Sequence, residues 1–181
     1  MDALEVFGFT GEYHTKFYAP IVRSLEVWEI NPNLEDSLKK NLPNSRIKIT
    51  DSFNEIKYTL EKFDLIVIDN PVTTFGKYCE HFDLFPDIFR ITKKKAVIIL
   101  NVLFEMPQVE EKYRPDPNIF NEHHLKYRSS FYDTANPDHI LPDEIVNTYK
   151  KLCFENGYVM DWFFFQRRTS VFYFIFSISK M

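Results

Sequence analysis

The sequence predicts an α/β fold with one mostly parallel, seven-stranded sheet, helices on both faces and an antiparallel last strand. Strand-like and helix-like segments alternate over most of the chain, which is typical of βαβ units. The run DLIVI at 64–68 is apolar after Asp64 and β-branched at its end, as central parallel strands are. The last two strand-like segments, 158–165 and 171–179, have no helix between them, which favours an antiparallel pair of buried strands.

The first 32 residues predict a strand, a turn, a helix and a second strand that ends in an acid. A short apolar run stops at Gly8, and Gly11 follows three residues later. Segment 13–22 predicts a short helix, and segment 25–30 predicts a strand with Glu29 near its carboxyl end. This order is typical of nucleotide-binding sheets, in which the turn faces the ligand and the acid binds a ribose diol. The alternative is a tight strand-to-helix turn without a ligand.

The remaining elements follow in chain order. They are a helix at 34–41, strands at 46–50 and 64–68 around a helix at 53–62, a loop at 73–80, a helix at 82–89, a strand at 96–100 and a helix at 142–156. Residues 93–95 are interpreted as a charged turn, and residues 167–168 as the turn between the last strands. Asp51, Asp69 and Asn101 each follow a strand, so we expect their side chains on one edge of the sheet.

The composition changes at about 105–141, which we interpret as a lid or insertion of a single domain spanning 1–181. Prolines interrupt this segment, and aromatic residues distinguish it from a flexible linker. It also contains His123, His124 and His139, which are candidates for acid–base chemistry because an imidazole titrates near neutral pH. Their spacing does not match a zinc site, and solvated loop histidines are the alternative.

Charge and cysteine content exclude several classes of function. The net charge is −4, without a basic stripe, so duplex nucleic acid is not the expected partner. The two cysteines lie far apart and match neither a disulfide framework nor a metal site, which favours a reducing cytoplasm. We expect no signal peptide, because strand-forming residues begin at once, and no membrane span, because charged residues interrupt the apolar region at 158–179.

The order of elements resembles class I S-adenosylmethionine-dependent methyltransferases, whose Rossmann-like sheet also ends with a reversed last strand. The resemblance covers nearly the whole chain. It places Asp69 at the fourth-strand motif beside the methyl group and the substrate. It implies S-adenosylmethionine as the cofactor, with these contacts: Gly8, Phe9, Thr10 and Gly11 at the methionine part, Glu29 at the ribose, Ile30 against the adenine, and Asp51, Ser52 and Phe53 at the adenine edge.

The resemblance also implies residues that act on the methyl acceptor. We expect the reaction to be O-methylation of a small molecule or a sugar-like hydroxyl. Asp69 and the three lid histidines are the catalytic candidates, and Asn70 and Asn101 are the substrate candidates. Tyr13, His14 and Thr15 begin the first helix and suit a carboxylate such as the methionine end of the cofactor. Asn101 also resembles part of the Asp-Asn pair of metal-dependent methyltransferases, but Leu100 precedes it, so no metal is expected.

The chain departs from the family pattern in its first motif. When Glu5 is aligned with the family's acid, Phe7 and Phe9 stand where two glycines are usual, and Gly11 matches. The sequence also starts at the first strand, without the helical segment that often precedes it. Three alternatives therefore stay open: a methyltransferase-like interaction module without activity, a site completed by a homo-oligomer or a partner subunit, and a nicotinamide-dependent enzyme. The antiparallel ending and the aspartates after strands three and four argue against the last.

Overall fold

The computed structural model describes residues 1–69, 81–105, 122–168 and 171–181, without the side chains of 122–124, 168 and 171. The strands are β1 Asp2–Glu5, β2 Ser24–Glu29, β3 Arg46–Ile49, β4 Phe63–Ile68, β5 Thr92–Val102, β6 Tyr158–Arg168 and β7 Val171–Lys180. The helices are α1 Thr15–Tyr18, α2 Glu35–Asn41, α3 Ser52–Tyr58, α4 Asp87–Arg90, α5 Glu122–Tyr132 and α6 Pro142–Glu155. Short 3₁₀ turns lie at Ala19–Ile21, Pro32–Leu34 and Phe82–Leu84.

The seven strands form one sheet in the order β3-β2-β1-β4-β5-β7-β6. The first five strands are parallel, with Leu4 of β1 opposite Ile66 of β4 at the centre. Strand β7 is antiparallel to both β5 and β6, so it is the reversed strand. The predicted fold class is therefore confirmed, including the antiparallel last strand.

The two faces of the sheet carry cores of different size. Helices α3 to α6 cover one face with a large aromatic and aliphatic core, in which Tyr149, Phe174 and Phe176 are fully buried. The other face carries a smaller core, in which Leu38 of α2 packs on Val27 and Val67. The larger core is the main hydrophobic contribution to folding, because this contribution grows with the apolar area removed from water.

Three sequence interpretations of strands are wrong in detail. Residues 93–95 do not form a turn but lie inside β5, because Thr92 already pairs with Phe63. Lys93 is held there by ion pairs to Asp2 and to Asp64, the latter at 2.9 Å. Residues 167–168 belong to β6 and do not form a turn. Strand β6 is also not buried, because it forms an edge of the sheet and exposes Trp162 and other large side chains.

Two predicted helices are shorter than the pattern suggested. The helix predicted at 13–22 is a four-residue helix, α1, followed by a 3₁₀ turn that contains Pro20, which lacks a backbone N–H. The helix predicted at 82–89 divides into a 3₁₀ turn and α4, because Pro86 disfavours a helical conformation of the residue before it.

The described part of the predicted lid contains a well-packed helix, α5. Its Phe131 ring stacks on Phe82 with centroids 4.0 Å apart. Arg128 is fully buried and donates to the carbonyl oxygens of Leu103 at 3.0 Å and Pro137 at 2.9 Å. Residues 106–121, and with them the rest of the predicted lid, lie outside the described residues. None of the described helices is long and apolar enough to cross a membrane.

Candidate functional site

The carboxyl edge of the sheet brings together most of the residues that the sequence singles out. The GFTG turn follows β1, Glu29 ends β2, Asp51 follows β3, Asp69 follows β4, and Asn101 lies near the end of β5. Because neighbouring parallel strands end at the same edge, these side chains can face a common ligand.

The turn after β1 is held tightly by its own packing. A Cβ atom on Gly8 would lie 2.4 Å from Cγ1 of Val27. Gly11 has a φ of +67°, and a Cβ atom there would lie 2.6 Å from Cδ1 of Leu42. Both glycines are therefore required by the close approach of the turn to β2 and α2, whether or not a ligand binds. Their predicted contact with a cofactor stays a prediction.

Glu29 is a buried carboxylate that two backbone amides hold in place. Its Oε2 accepts from the N–H of Phe9 at 2.7 Å, and its Oε1 accepts from the N–H of Asn31 at 2.8 Å. An ionised carboxylate has about four lone-pair positions, so each oxygen can accept one more hydrogen bond. Ile30, beside it, is an exposed apolar side chain. This arrangement suits a diol on Glu29 with a flat apolar group on Ile30.

The residues after β3 have local structural roles that the sequence did not reveal. Asp51 caps α3 by accepting from the N–H of Phe53 at 3.0 Å and from Nδ2 of Asn54 at 2.9 Å. Ser52 donates to the carbonyl oxygen of Val6, and the Phe53 ring packs on Phe7 with centroids 5.8 Å apart. The predicted adenine contacts of Asp51, Ser52 and Phe53 stay predictions.

His14 forms the centre of a cluster of charged side chains between β1 and β4. Its Nε2 lies 3.3 Å from both carboxylate oxygens of Glu5, and its Nδ1 lies 3.0 Å from Oδ2 of Asp69. Thr15 and Tyr18 of α1 also donate to Glu5. The sequence placed His14 and Thr15 near the methionine end of a cofactor, whereas the structure shows both bound to carboxylates of the chain itself.

Asp69 is surrounded by hydrogen-bond donors. Tyr173 donates to its Oδ2 at 2.8 Å and Asn101 donates to its Oδ1 at 2.7 Å, in addition to the contact with His14. The sequence had no signal for Tyr173, because it lies 104 residues away on β7. The register of β7 against β5 could not be read from the sequence, and this register brings the tyrosine to the site.

The ionisation of this cluster follows from its geometry. Burial alone would lower the pKa of His14, but hydrogen bonds and charges from Asp69 and Glu5 raise that pKa to about 10. Burial raises the pKa of Glu5 above its usual value, although His14 and Tyr18 oppose this effect. Burial also acts to raise the pKa of Asp69, but His14, Tyr173 and Asn101 outweigh it, so the net pKa is lowered.

At neutral pH His14 is therefore an imidazolium beside an ionised Asp69, whereas burial opposes the ionisation of Glu5. A carboxylate with a lowered pKa binds a proton weakly. The arrangement accordingly favours Asp69 as a group that orients and neutralises charge rather than as a general base, and its predicted catalytic role stays a prediction.

The candidate residues of the acceptor side are described only in part. Asn70 lies outside the described residues, and His123 and His124 belong to α5 but their side chains are not described. His139 is half exposed, and its Nδ1 lies 3.3 Å from Oε1 of Glu105. Among the described residues, no group of three or more His, Cys, Asp or Glu side chains could hold a metal ion.

An open cleft lies beside the His14 cluster. It measures about 460 Å³ and is lined by Glu12, Tyr13, His14, Lys16, Phe17 and Tyr173. Two buried polar atoms at the same edge, Oγ1 of Thr10 and Oδ1 of Asn101, have no hydrogen-bond partner in the part of the chain that is described. Unpaired buried polar atoms are costly, so they mark places where a polar ligand would be stabilised.

The strand order, with its reversed β7, is that of the class I S-adenosylmethionine-dependent methyltransferase fold. No protein-family model matches the sequence, and no curated protein matches it either.

Solved structures with this fold are similar over the whole chain. They include magnesium protoporphyrin IX methyltransferase from Synechocystis PCC 6803 with bound SAH (9% identity, 100% of this chain and 74% of that chain, TM-score 0.59). N-methyltransferase NodS from Bradyrhizobium japonicum is also similar (11% identity, 99% and 85%, TM-score 0.56). So is an S-adenosylmethionine-dependent methyltransferase from Methanosarcina mazei (14% identity, 99% and 92%, TM-score 0.57). At such low identity the likeness establishes the fold alone.

The described residues fit the nucleoside part of S-adenosylmethionine better than its methionine end. Glu29 retains acceptor capacity for a ribose diol, and the unpaired hydroxyl of Thr10 belongs to the residue after Phe9, whose amide binds Glu29. At the methionine end, the backbone of the GFTG turn is packed against β2 and α2, and His14 already occupies the space between Glu5 and Asp69.

Proposed function

We propose that the chain is an S-adenosylmethionine-dependent methyltransferase that acts on a small-molecule or sugar-like acceptor, with O-methylation as the expected reaction. The observation that carries the proposal is Glu29, a carboxylate held by two backbone amides at the carboxyl end of β2 with acceptor capacity left on each oxygen. The methyltransferase fold adds support, because its ligands bind at this edge of the sheet.

The residues of the chain would then have separate roles in binding the cofactor and the acceptor. Glu29 would hold the ribose, and Ile30 would lie against the adenine. When bound, S-adenosylmethionine would supply an already activated methyl group, so the protein mainly has to align an acceptor and remove its proton. Asp69, fixed by Tyr173 and Asn101, would orient the acceptor side. His123, His124 and His139 remain the candidates for proton removal, and a cytoplasmic location is part of this proposal.

Calorimetry with S-adenosylmethionine and its demethylated product tests the proposal directly. We expect saturable binding by the wild-type chain and roughly 10- to 100-fold weaker binding by Glu29→Gln, because hydrogen bonds to a charged acceptor contribute about 1.5–3 kcal/mol each. Glu61→Gln is the matched control, since Glu61 is an exposed carboxylate whose contact is a long ion pair with Arg46 at 3.8 Å. A folded wild-type chain that binds neither compound would contradict the proposal.

The second candidate is a methyltransferase-like domain that serves as an interaction module without activity. Two observations favour it: a phenylalanine stands at position 9, where glycine is usual in the family, and His14 fills the space between Glu5 and Asp69. A thermal-shift series with S-adenosylmethionine, its demethylated product and NAD separates the candidates, because a ligand that binds only the folded state raises the unfolding midpoint. No shift with any of the three would favour the module.

A further inference from the structure

His14 lies in the path of a ligand that spans the carboxyl edge of the sheet. The sheet order places β1 between β2 and β4, so the end of β1 separates Glu29, which ends β2, from Asp69, which follows β4. Neighbouring strands lie about 4.8 Å apart, so β2 and β4 are about 10 Å apart. A ligand that reaches from Glu29 to Asp69 therefore passes over the end of β1, where the imidazole of His14 contacts Glu5.

The imidazole is not needed to attach α1 to the sheet. His14 directly precedes α1, but its side chain makes no capping hydrogen bond to the helix. Thr15 and Tyr18 attach α1 to Glu5 through their own hydroxyl groups. The polar contacts of the imidazole are with Glu5 at 3.3 Å and with Asp69 at 3.0 Å. The ring can therefore leave the two carboxylates while α1 stays attached to β1.

The imidazole also borders open space. The side chain of His14 is 28% exposed and lines the cleft of about 460 Å³ beside the cluster. Because side chains have several staggered rotamers, a rotation about the bonds of His14 can move the ring without a change of the backbone. The described titratable groups around the ring and the cleft are Glu5 on β1, Asp69 after β4, Glu12 before α1, Lys16 and Tyr18 on α1, and Tyr173 on β7.

The charge of His14 conflicts with the charge of S-adenosylmethionine. The cofactor carries a positive sulfonium group and, near neutral pH, a positive α-amino group. Burial acts to lower the pKa of His14, but Asp69 and Glu5 raise it to about 10, so the ring is positive as well. Two positive groups repel each other at short distance, so the imidazolium and the cationic end of the cofactor exclude each other from this place.

Asn101 shows that a hydrogen-bond donor is missing beside Asp69. Asn101 is 2% exposed, its Nδ2 donates to Asp69 at 2.7 Å, and its Oδ1 has no partner within the described ranges. The amide cannot be turned round, because Oδ1 would then face a carboxylate oxygen. A buried acceptor without a donor is unfavourable, and His14 does not supply one. An ammonium group has several N–H donors, so it could bond Asp69 and Asn101 together.

We propose that His14 is a displaceable internal cation, which fills the place of the cationic end of the cofactor until S-adenosylmethionine binds. This inference rests on the proposed function and states what that site has to release. On binding, the imidazole leaves Glu5 and Asp69 and turns into the cleft, and the two carboxylates then hold the α-ammonium group. Away from both carboxylates, the pKa of His14 returns towards 6.5, so its N–H proton passes to the solvent at higher pH.

Calorimetry in buffers of different ionisation enthalpy counts the protons released on binding. At pH 7.5 we expect the wild-type chain to release about 0.9 proton more per bound S-adenosylmethionine than His14→Gln, because an ordinary histidine is about nine-tenths neutral at that pH. His14→Gln is the matched reference, since any protons exchanged by the α-amino group of the cofactor are the same in both proteins. Adenosine has no cationic end, so its binding should release no proton from either protein.

The affinity for S-adenosylmethionine should follow the same linkage. Between pH 7 and 8, the affinity of the wild-type chain should rise roughly eightfold more than that of His14→Gln. His14→Lys keeps a positive charge beside Glu5 and guards against a loss of folding. Lysine does not titrate in this pH range, so this variant should show neither the additional rise in affinity nor the additional proton.

NMR of the wild-type chain gives a readout without any substitution. At pH 7.5 the imidazole signal of His14 should change from the protonated to the neutral position when S-adenosylmethionine saturates the protein, whereas adenosine should leave it unchanged. A His14 signal that stays protonated in the saturated protein would overturn the inference.

The inference and the proposed function fail in different ways. If S-adenosylmethionine binds, but the wild-type chain and His14→Gln release equal numbers of protons and gain equal affinity with pH, His14 is not displaced. The inference is then wrong, and cofactor binding stands. If S-adenosylmethionine binds to neither protein while both are folded, the inference and the proposed function are both wrong.

Discussion

We predict that the protonated state of His14 contributes a measurable amount to the free energy of unfolding. His14 lies between Glu5 and Asp69, and its pKa is raised from 6.5 to about 10. One pKa unit corresponds to about 1.4 kcal/mol, so the full shift would amount to about 5 kcal/mol for an isolated group. The His14 side chain is 28% exposed, and the burial of Glu5 opposes the gain, so we expect a net contribution of about 2 kcal/mol.

The sign of the pH dependence follows from linkage. A histidine whose pKa is raised on folding contributes its full stabilisation below the unfolded pKa of 6.5, and this stabilisation is lost as the pH rises through about 10. The free energy of unfolding of the wild-type chain should therefore fall by about 2 kcal/mol more than that of His14→Gln between pH 7 and 10.5. Titrations of groups remote from the cluster occur in both proteins and cancel in the comparison.

Urea denaturation at several pH values measures this difference, and NMR titration of the imidazole signals measures the pKa itself. The control is His139→Gln, because the pair of His139 with Glu105 lies at the surface and should contribute little. If the His14 signal titrates below pH 7, or if His14→Gln loses the same stability at every pH, the assignment of an imidazolium between two carboxylates is wrong.

Two further predictions concern packing. Gly11→Ala should lower the free energy of unfolding by about 2–4 kcal/mol, because its Cβ would meet Leu42 at 2.6 Å and its φ is +67°. Gly157 has a φ of +79°, but a Cβ there would have nothing within 4 Å. Gly157→Ala should therefore lower the free energy of unfolding by only about 1 kcal/mol in the same denaturation assay. Cys153 is fully buried, and burial raises the pKa of its thiol to about 12, so site-resolved mass spectrometry should find it unmodified by iodoacetamide until the chain unfolds.

The order of the strands could be predicted from the sequence because its signals are local. The run at 64–68 and the final pair of strands are strand-like by their own composition, and the structure confirms them as strands, although β6 is longer and more exposed than predicted. The lysines at 93–95 were misleading, because charge suggests a turn, whereas their position at the solvent-exposed start of β5 tolerates charge. A local pattern therefore predicts an element better than it predicts where that element ends.

The carboxyl-edge positions of Glu29, Asp69 and Asn101 could also be predicted, since each directly follows or ends a strand. Their partners could not. The burial of Glu5 depends on α1, and the contact between Asp69 and Tyr173 depends on strand register across 104 residues. The exposure of Trp162 was missed for a related reason, because an apolar strand is buried only if another element covers it.

The amino-terminal edge of the parallel strands, opposite the candidate site, is held by surface ion pairs of Lys93. Lys93 joins Asp2 of β1 and Asp64 of β4, and Arg23 also binds Asp2. These ion pairs lie at the surface and are partly exposed, and surface pairs contribute about 0–1 kcal/mol each. The sheet thus has a passive edge, far along the strands from Glu29 and Asp69. Fluorescent labels, surface-charge changes and immobilisation chemistry introduced there should therefore leave the candidate site undisturbed.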